Sequence, residues 1–317
     1  MTHPHARSRH HRAERVASSL RPAPGRGVRV TRTIQPAPTG STLPPEIRSQ
    51  PPRIFLGVPC YGRAIDMGQA AAVEHALLSG QIVARRRVAV SLLAFGFNQL
   101  LCEALNGRAP ERGGFTHFLL LHSDVVPHGE DWVGDLYREL ARHDLGAVAV
   151  SIPIKPNTPR AVEQLETSVA LDRGDGKVSR VPLRQLEGET FTSRTQGDLL
   201  VNTGCLLIDL RHEWSERICF TIDDRIERVD GEFVARVDPE DWNLSRWFRA
   251  NGVPFGTTTA VRVEHVGQCR WPNWGAIPED DRVDVQRARE AAAKAAEIAE
   301  APASYDSIAL TPVPREE

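Results

Sequence analysis

From residue 53 onward the apolar positions fall into short continuous runs alternating with stretches of helical periodicity. The first run, Ile54-Phe55-Leu56-Gly57-Val58-Pro59, is a buried strand that ends at a proline and a turn. Residues 66–79 read as a helix closed by Gly80, 87–94 as a second strand, and 97–105 as a helix stopped by Asn106-Gly107. A third strand over 115–121 is strongly apolar, and a helix over 130–142 and a fourth strand over 147–152 follow it. Residues 160–198 are polar and rich in Gly, Arg and Thr, which predicts an insertion or acceptor-facing loop and hairpin. The pattern then gives a buried strand region at 199–210, an amphipathic helix at 241–250 stopped by Asn251-Gly252, an alternating strand at 261–267, and a charged, Ala-rich helix from 279 to about 300. Single helices between strands predict an α/β fold with a mainly parallel sheet flanked by helices. Such sheets bind ligands beyond the carboxyl ends of their strands, here near 59–62, 122–126 and 153–157.

Residues 1–50 break the pattern. Nine Arg stand against two Glu there, with His at 3, 5, 10 and 11 and little that could enter a core. The segment reads as a disordered basic leader, with contact to nucleic acid or another polyanion as the sharper alternative. The remainder divides into a single domain over 51–278 and a C-terminal helix and tail over 279–317. Over the whole chain 39 basic residues balance 41 acidic ones, so no global field recruits a polyanion. Without an apolar run of the roughly 20 residues that span a bilayer, and with no secretory leader, the expected location is the cytoplasm and no transmembrane segment is expected. Five cysteines, widely spaced and lacking a C-x-x-C pair, read as reduced and mostly buried thiols.

Three stretches could carry chemistry. Phe118-Leu119-Leu120-Leu121-His122-Ser123-Asp124 delivers a carboxylate to the end of a buried strand, where it can ligate Mg2+ or Mn2+ or merely cap the next turn. In Pro239-Glu240-Asp241-Trp242 two acids enter a helix, which is favourable capping in its own right. Val261-Arg262-Val263-Glu264-His265-Val266-Gly267 ends an alternating strand in a histidine at a glycine turn; a lone histidine of this kind is more often structural than a ligand.

In order and spacing these elements resemble the GT-A glycosyltransferases, in particular small bacterial and phage proteins related to glycosyltransferase family 2. The resemblance spans about 53–270. Its carriers are the opening strand to Tyr61, the helix around Asn98, His122-Ser123-Asp124 in place of the family's D-x-D, Val201-Asn202-Thr203-Gly204, Glu240-Asp241-Trp242 and His265-Val266-Gly267. It implies a GT-A, Rossmann-like domain that moves a sugar from a UDP- or GDP-sugar donor to an acceptor hydroxyl. By the same resemblance Pro59, Cys60 and Tyr61 line the nucleotide pocket together with His122 and Ser123; Asp124 and His265 hold Mn2+ or Mg2+; Asp241 is the general base, with Glu240 as the near alternative; and Asn202, Thr203 and Gly204 lie beside the donor or acceptor. Lys155 is placed to contact phosphate or acceptor, or simply to face solvent, and Trp242, Trp247, Trp271 and Trp274 offer stacking faces or core packing.

The sequence departs from the family at two positions. His122 replaces the first Asp of D-x-D, and a neutral imidazole lacks that charge, although it could itself ligate Mn2+. Phe97 stands where an Arg often precedes the Asn98 position. Two other readings stay open: a nucleotidyltransferase, and a non-catalytic sugar-nucleotide-binding module of the same fold. The acceptor is also open among glycans, lipid precursors, small metabolites, proteins and a hydroxylated base in phage DNA.

Overall fold

The structure, a computed structural model, describes residues 43–48, 50–60, 65–155, 165–174, 177–186, 188–267, 270–272 and 274. Tyr61, most of the expected basic leader, and the expected C-terminal helix and tail lie outside the described residues. Within the span assigned to the leader, Pro45–Arg48 forms one helical turn (α1), and the carbonyl of Ile47 accepts a 2.8 Å hydrogen bond from Arg211 Nη1.

The first half of the domain follows the expected alternation. Strand β1 (Ile54–Cys60) leads to helix α2 (Met67–Leu78), whose first turn is capped when Asp66 accepts from the Gly68 amide at 2.7 Å. Strand β2 (Ala84–Ala89), helix α3 (Leu93–Asn106) and strand β3 (His117–Leu121) follow. The second strand thus starts earlier than its apolarity indicated. Its Arg85-Arg86-Arg87 core is polar because β2 is the outer edge of the sheet, and part of the segment expected to be strand opens α3 instead. After β3 come β4 (Val125–His128), α4 (Trp132–Arg142) and β5 (Ala147–Val150).

The 160–198 stretch includes an antiparallel hairpin, β6 (Glu166–Asp172) with β7 (Val178–Pro182), and then the short β8 (Thr190–Thr192). The buried region 199–210 resolves into β9 (Leu199–Leu200), which joins that hairpin, and β10 (Cys205–Asp209), which enters the main sheet. A second hairpin, β11 (Asp223–Val229) with β12 (Glu232–Asp238), precedes α5 (Glu240–Ala250), and β13 (Phe255–Thr258), β14 (Arg262–Val266) and β15 (Arg270–Pro272) follow.

The main sheet has the order β2-β1-β3-β10-β5-β13-β8. Strands β2, β1, β3, β5 and β13 run one way; β10, inserted between β3 and β5, and β8, at the far edge, run the other. The sheet is therefore mixed, with most strands parallel. Helices α3 and α5 cover one face through Phe97, Leu100, Leu101, Leu244 and Phe248, and α2 and α4 cover the opposite face through Val73, Ala76, Trp132, Leu136 and Leu140. All five side chains of β3 and of β10 are buried, as expected of strands covered on both faces. Cys60 and Cys205 are buried thiols, whereas Cys102 and Cys219 are exposed, contrary to the expectation that cysteines sit mostly inside. No helix among the described residues is long and apolar enough to cross a membrane.

Close packing on the α3 face makes one glycine indispensable. A Cβ at Gly57 would lie 2.8 Å from Phe118 Cε2 and 3.0 Å from Leu100 Cβ. Gly57→Ala is expected to destabilise the domain by about 1–3 kcal/mol, the usual cost of overpacking a filled core, read as a lower urea midpoint with unchanged slope. An unchanged midpoint would mean that the two side chains repack freely.

Candidate functional site

The carboxyl end of β3 is where the chain converges. Just beyond it, the backbone amide of His122 donates to the carbonyl of Gly204 at 2.8 Å, and the His122 carbonyl accepts from Gln69 Nε2 on α2 at 2.7 Å. These bonds fix the turn that presents Asp124. Its position is fixed from the other side by a small sheet of order β15-β14-β4, in which His265 pairs with Val125 and the Val266 amide donates to the Asp124 carbonyl at 2.7 Å. The late strand thereby brings His265 to Asp124: Nε2 stands 3.5 Å from Asp124 Oδ2.

The ring of His265 is oriented as well as close. Its Nδ1 is 2.8 Å from the carbonyl oxygen of Pro153, which can only accept, so Nδ1 carries a proton and Nε2 faces the carboxylate. In the imidazolium form this is an ion pair. In the neutral ring two lone-pair-bearing atoms face each other, an arrangement that a cation between them would relieve. A backbone carbonyl holding the far nitrogen is the usual support for a metal-ligating histidine.

Lys155 completes the cluster, with Nζ 2.6 Å from Asp124 Oδ2 and its stem against Gly267, where a Cβ would meet Lys155 Cδ at 3.0 Å. Burial opposes ionisation of Asp124, but hydrogen bonds from His265 and Lys155 outweigh it and hold the carboxyl well below the ordinary carboxylate range. Among the described residues no group of three or more His, Cys, Asp or Glu is arranged to hold a metal. The Asp124–His265 pair fits a hard divalent ion that takes two protein donors and completes its shell with phosphate oxygens and water; the imidazole donor favours Mn2+ over Mg2+.

His122 is not part of this cluster. Its ring packs on Phe97 with centroids 5.1 Å apart, its Nε2 is buried without a hydrogen-bond partner, and burial pushes its pKa down to about 4. It is a neutral ring on the α3 side of the sheet. The carbonyl of Ser123 accepts from the Asp66 amide at 3.4 Å, and the Cys60 thiol donates to the Val58 carbonyl at 3.8 Å. Pro59 and Cys60 close β1 as buried residues; the Cys60 thiol sits in the core under α2, and burial raises its pKa.

The 201–204 loop carries a second set of sequence candidates. Asn202 donates from Nδ2 to the Val150 carbonyl at 2.7 Å and accepts the Gly204 amide on Oδ1 at 2.9 Å, so its amide clamps the loop to the end of β5. Thr203 is buried, and a Cβ on Gly204 would come within 2.6 Å of Ile152 Cδ1. The loop is also tied to α5: the Val201 amide donates to Ser245 Oγ at 3.0 Å, and Ser245 Oγ donates to the Asp241 carbonyl at 2.9 Å. One hydrogen-bonded path thus joins the first turn of α5, the loop, and the end of β3.

At that first turn Asp241 accepts from the Trp242 amide at 2.7 Å. Burial, with the adjacent Glu240 adding to it, pushes the pKa of Asp241 up to about 7, against the opposing pull of that amide and of Arg180. Burial also raises Glu240. Arg180, from the hairpin, stacks over the Trp242 ring at 5.4 Å, and Trp242 Nε1 is buried without a partner. Trp247 packs against the core beside Phe248, and Trp274 makes an edge contact with His128 at 5.0 Å. Sequence reasoning missed Arg180; nothing in a polar hairpin sequence marks which arginine folds back onto a helix start.

No family model matches the sequence, and no curated protein matches it. Solved structures do match in part. Protein A197 from STIV is 14% identical, with a TM-score of 0.40, over 68% of this chain and 86% of that one. Mannose-1-phosphate geranyltransferase from Thermus thermophilus is 13% identical, with a TM-score of 0.27, over 50% of this chain and 57% of that one. Both overlaps are partial, and neither carries a residue role or an activity to this chain.

Proposed function

We propose that residues 51–278 form a metal-dependent glycosyltransferase that moves a sugar from a nucleotide-sugar donor to an acceptor hydroxyl. The observation that carries the reading is the Asp124–His265 pair at the carboxyl end of β3, with the Pro153 carbonyl turning Nε2 of His265 toward the carboxylate. Asp124 and His265 are the residues that would hold Mn2+ or Mg2+, and the ion, when bound, would offset negative charge on the leaving nucleoside diphosphate. Lys155, paired with the same carboxylate, would offer a second cation to those phosphates.

Asp241 is the base in this reading, because its raised pKa lets it exchange a proton near neutrality. The acceptor oxygen bonds to the anomeric carbon as the bond to the diphosphate breaks, and the hydroxyl proton passes to Asp241. Asn202 and Gly204 contribute by fixing the loop that links Asp241 to the end of β3.

The test is a thermal-shift panel of UDP, GDP and their sugar conjugates with Mn2+, Mg2+ or EDTA. A ligand that binds only the folded state stabilises it, by about 2.7 kcal/mol at one hundred times its Kd, and so raises the melting temperature with its occupancy. Stabilisation by one nucleotide only with metal, and release of the nucleoside diphosphate together with free sugar or glycoside, is the expected result. Release of sugar 1-phosphate, the group that leaves when the nucleotidyl unit is moved instead, would move the chain to the nucleotidyltransferases, and no response to any nucleotide would remove the metal-site reading.

A further inference from the structure

The edge strand β2 presents three consecutive arginines, and the sheet register assigns each to a face. Arg86 pairs with Gly57 and points to the α3 side, where its Nε stands 3.3 Å from Glu103 Oε1. Arg85 and Arg87 pair with Leu56 and Val58 and share the opposite face, the one covered by α2. Between them and α2 lies a cavity of about 390 Å3 lined by Val58, Gln69, Ala70, Val73 and the arginine run. No acidic residue lines it, and among the described residues the side chains of Arg85 and Arg87 make no hydrogen bond or ion pair, Arg87 acting only through its field on the Cys60 thiol.

Charged residues on an edge strand often serve only to prevent strand addition. That role needs no concavity, and Arg86, which meets a carboxylate, would fill it. A cavity with two unengaged guanidinium groups on one wall, an apolar floor of Val58, Ala70 and Val73, and the Gln69 amide has the composition of a ligand site with an anionic specificity element. Its volume is that of a mononucleotide or sugar phosphate rather than a bare ion. Guanidinium forks match the paired oxygens of a phosphate better than other side chains do. Gln69 also connects the cavity to the end of β3, since its Nε2 bonds the His122 carbonyl.

We propose that the groove between α2 and β2 binds the phosphate group of a small phosphorylated ligand, gripped by Arg85 and Arg87, separately from any ligand held at Asp124 and His265. The proposal goes beyond the glycosyltransferase reading and needs no metal. It is tested by calorimetric titration in EDTA with pyrophosphate, uridine 5′-monophosphate and glucose 1-phosphate, and with uridine and glucose as uncharged controls. Wild type is compared with the Arg85→Gln/Arg87→Gln double variant, Arg86→Gln and Asp124→Ala.

The expected result is binding of at least one phosphorylated probe, weakened tenfold or more in the double variant and unchanged in the other two. Preference for the nucleotide or for the sugar phosphate would name the source; equal binding of pyrophosphate would mean that the phosphate alone is recognised. Absence of binding by all three probes, binding that survives the double substitution, or equal binding of uridine or glucose would overturn the proposal. Loss of the metal-dependent nucleotide response with this binding intact would count against the glycosyltransferase reading alone.

Discussion

On the proposed glycosyltransferase reading, Asp124→Ala is expected to lower transfer from the nucleotide sugar by at least 100-fold while leaving the fold almost as stable as before. The two halves of this expectation have different causes. Changing a residue that merely supports a metal ligand costs about 10–100-fold, and losing the ligand itself should cost no less. Stability responds little because the Asp124 and Lys155 side chains are 43% and 33% exposed, and an ion pair that solvent reaches contributes about 0–1 kcal/mol. Asp124→Asn, which keeps the shape and removes the charge, should lose nearly as much activity. His265→Ala should lose less than the carboxylate variant, and the double variant little more than Asp124→Ala, because groups that act through one ion are not additive. Nucleotide release at saturating Mn2+, together with the melting temperature, checks all four. Activity within threefold of wild type in Asp124→Ala would remove Asp124 from the chemistry, and a fall in melting temperature beyond about 5 °C would show that it holds the fold instead.

Much of the sheet was legible in the sequence because its strands are covered on both faces. The runs at 54–59, 115–121 and 147–152 are mostly apolar, and each became a strand within a few residues of the expected ends. Helices α2 and α5 were legible through punctuation: Asp66 before one with Gly80 after it, and Pro239 before the other with Asn251-Gly252 after it. What failed was of another kind. Strand β2 is exposed, so its apolar pattern is absent and the more apolar residues after it drew the expected strand too late. Strand β10 runs against its neighbours, and a strand's direction leaves no trace in its composition. The hairpin β11–β12 went unread because its alternation is weak and its apolar face, with Ile226 76% and Phe233 77% exposed, is turned to the surface.

The site was legible in a different measure. Asp124 and His265 could be named from strand ends, and the small sheet of β4 and β14 then brings them together. Strand β4 itself was missed, being four residues long with a proline in it. The structural work of Asn202 and Gly204 depends on partners distant in sequence, the Val150 carbonyl and the Ile152 side chain, which no local motif encodes. The position of His122 has the same origin: the alternation of the strand sends its side chain to the α3 face and against Phe97, while the charges of Asp124, His265 and Lys155 still act on it.

If Asp241 is the proposed base, Asp241→Asn should abolish turnover and at the same time stabilise the protein above neutral pH. The sign follows from linkage. The folded pKa of about 7 lies above the ordinary value of 3.8, so between these values the folded state holds a proton that the unfolded state has released. Stability therefore falls as pH rises from about 4 to about 7 and is level beyond, by about 2–4 kcal/mol for a half-buried group at 1.36 kcal/mol per unit. The amide keeps the acceptor for the Trp242 N–H and never ionises, so this slope should flatten in the variant and its melting temperature should exceed that of wild type at pH 8. Wild-type kcat/KM should rise through about pH 7, the ionised carboxylate being the form that takes the acceptor proton. Glu240→Gln should keep that limb but shift it to lower pH, because one of the two causes raising Asp241 is removed. A residue that only caps α5 would give the opposite pair of results, lower stability with activity retained. A variant that is more stable and inactive is the signature of a carboxylate held in an unfavourable ionised state for the sake of the reaction.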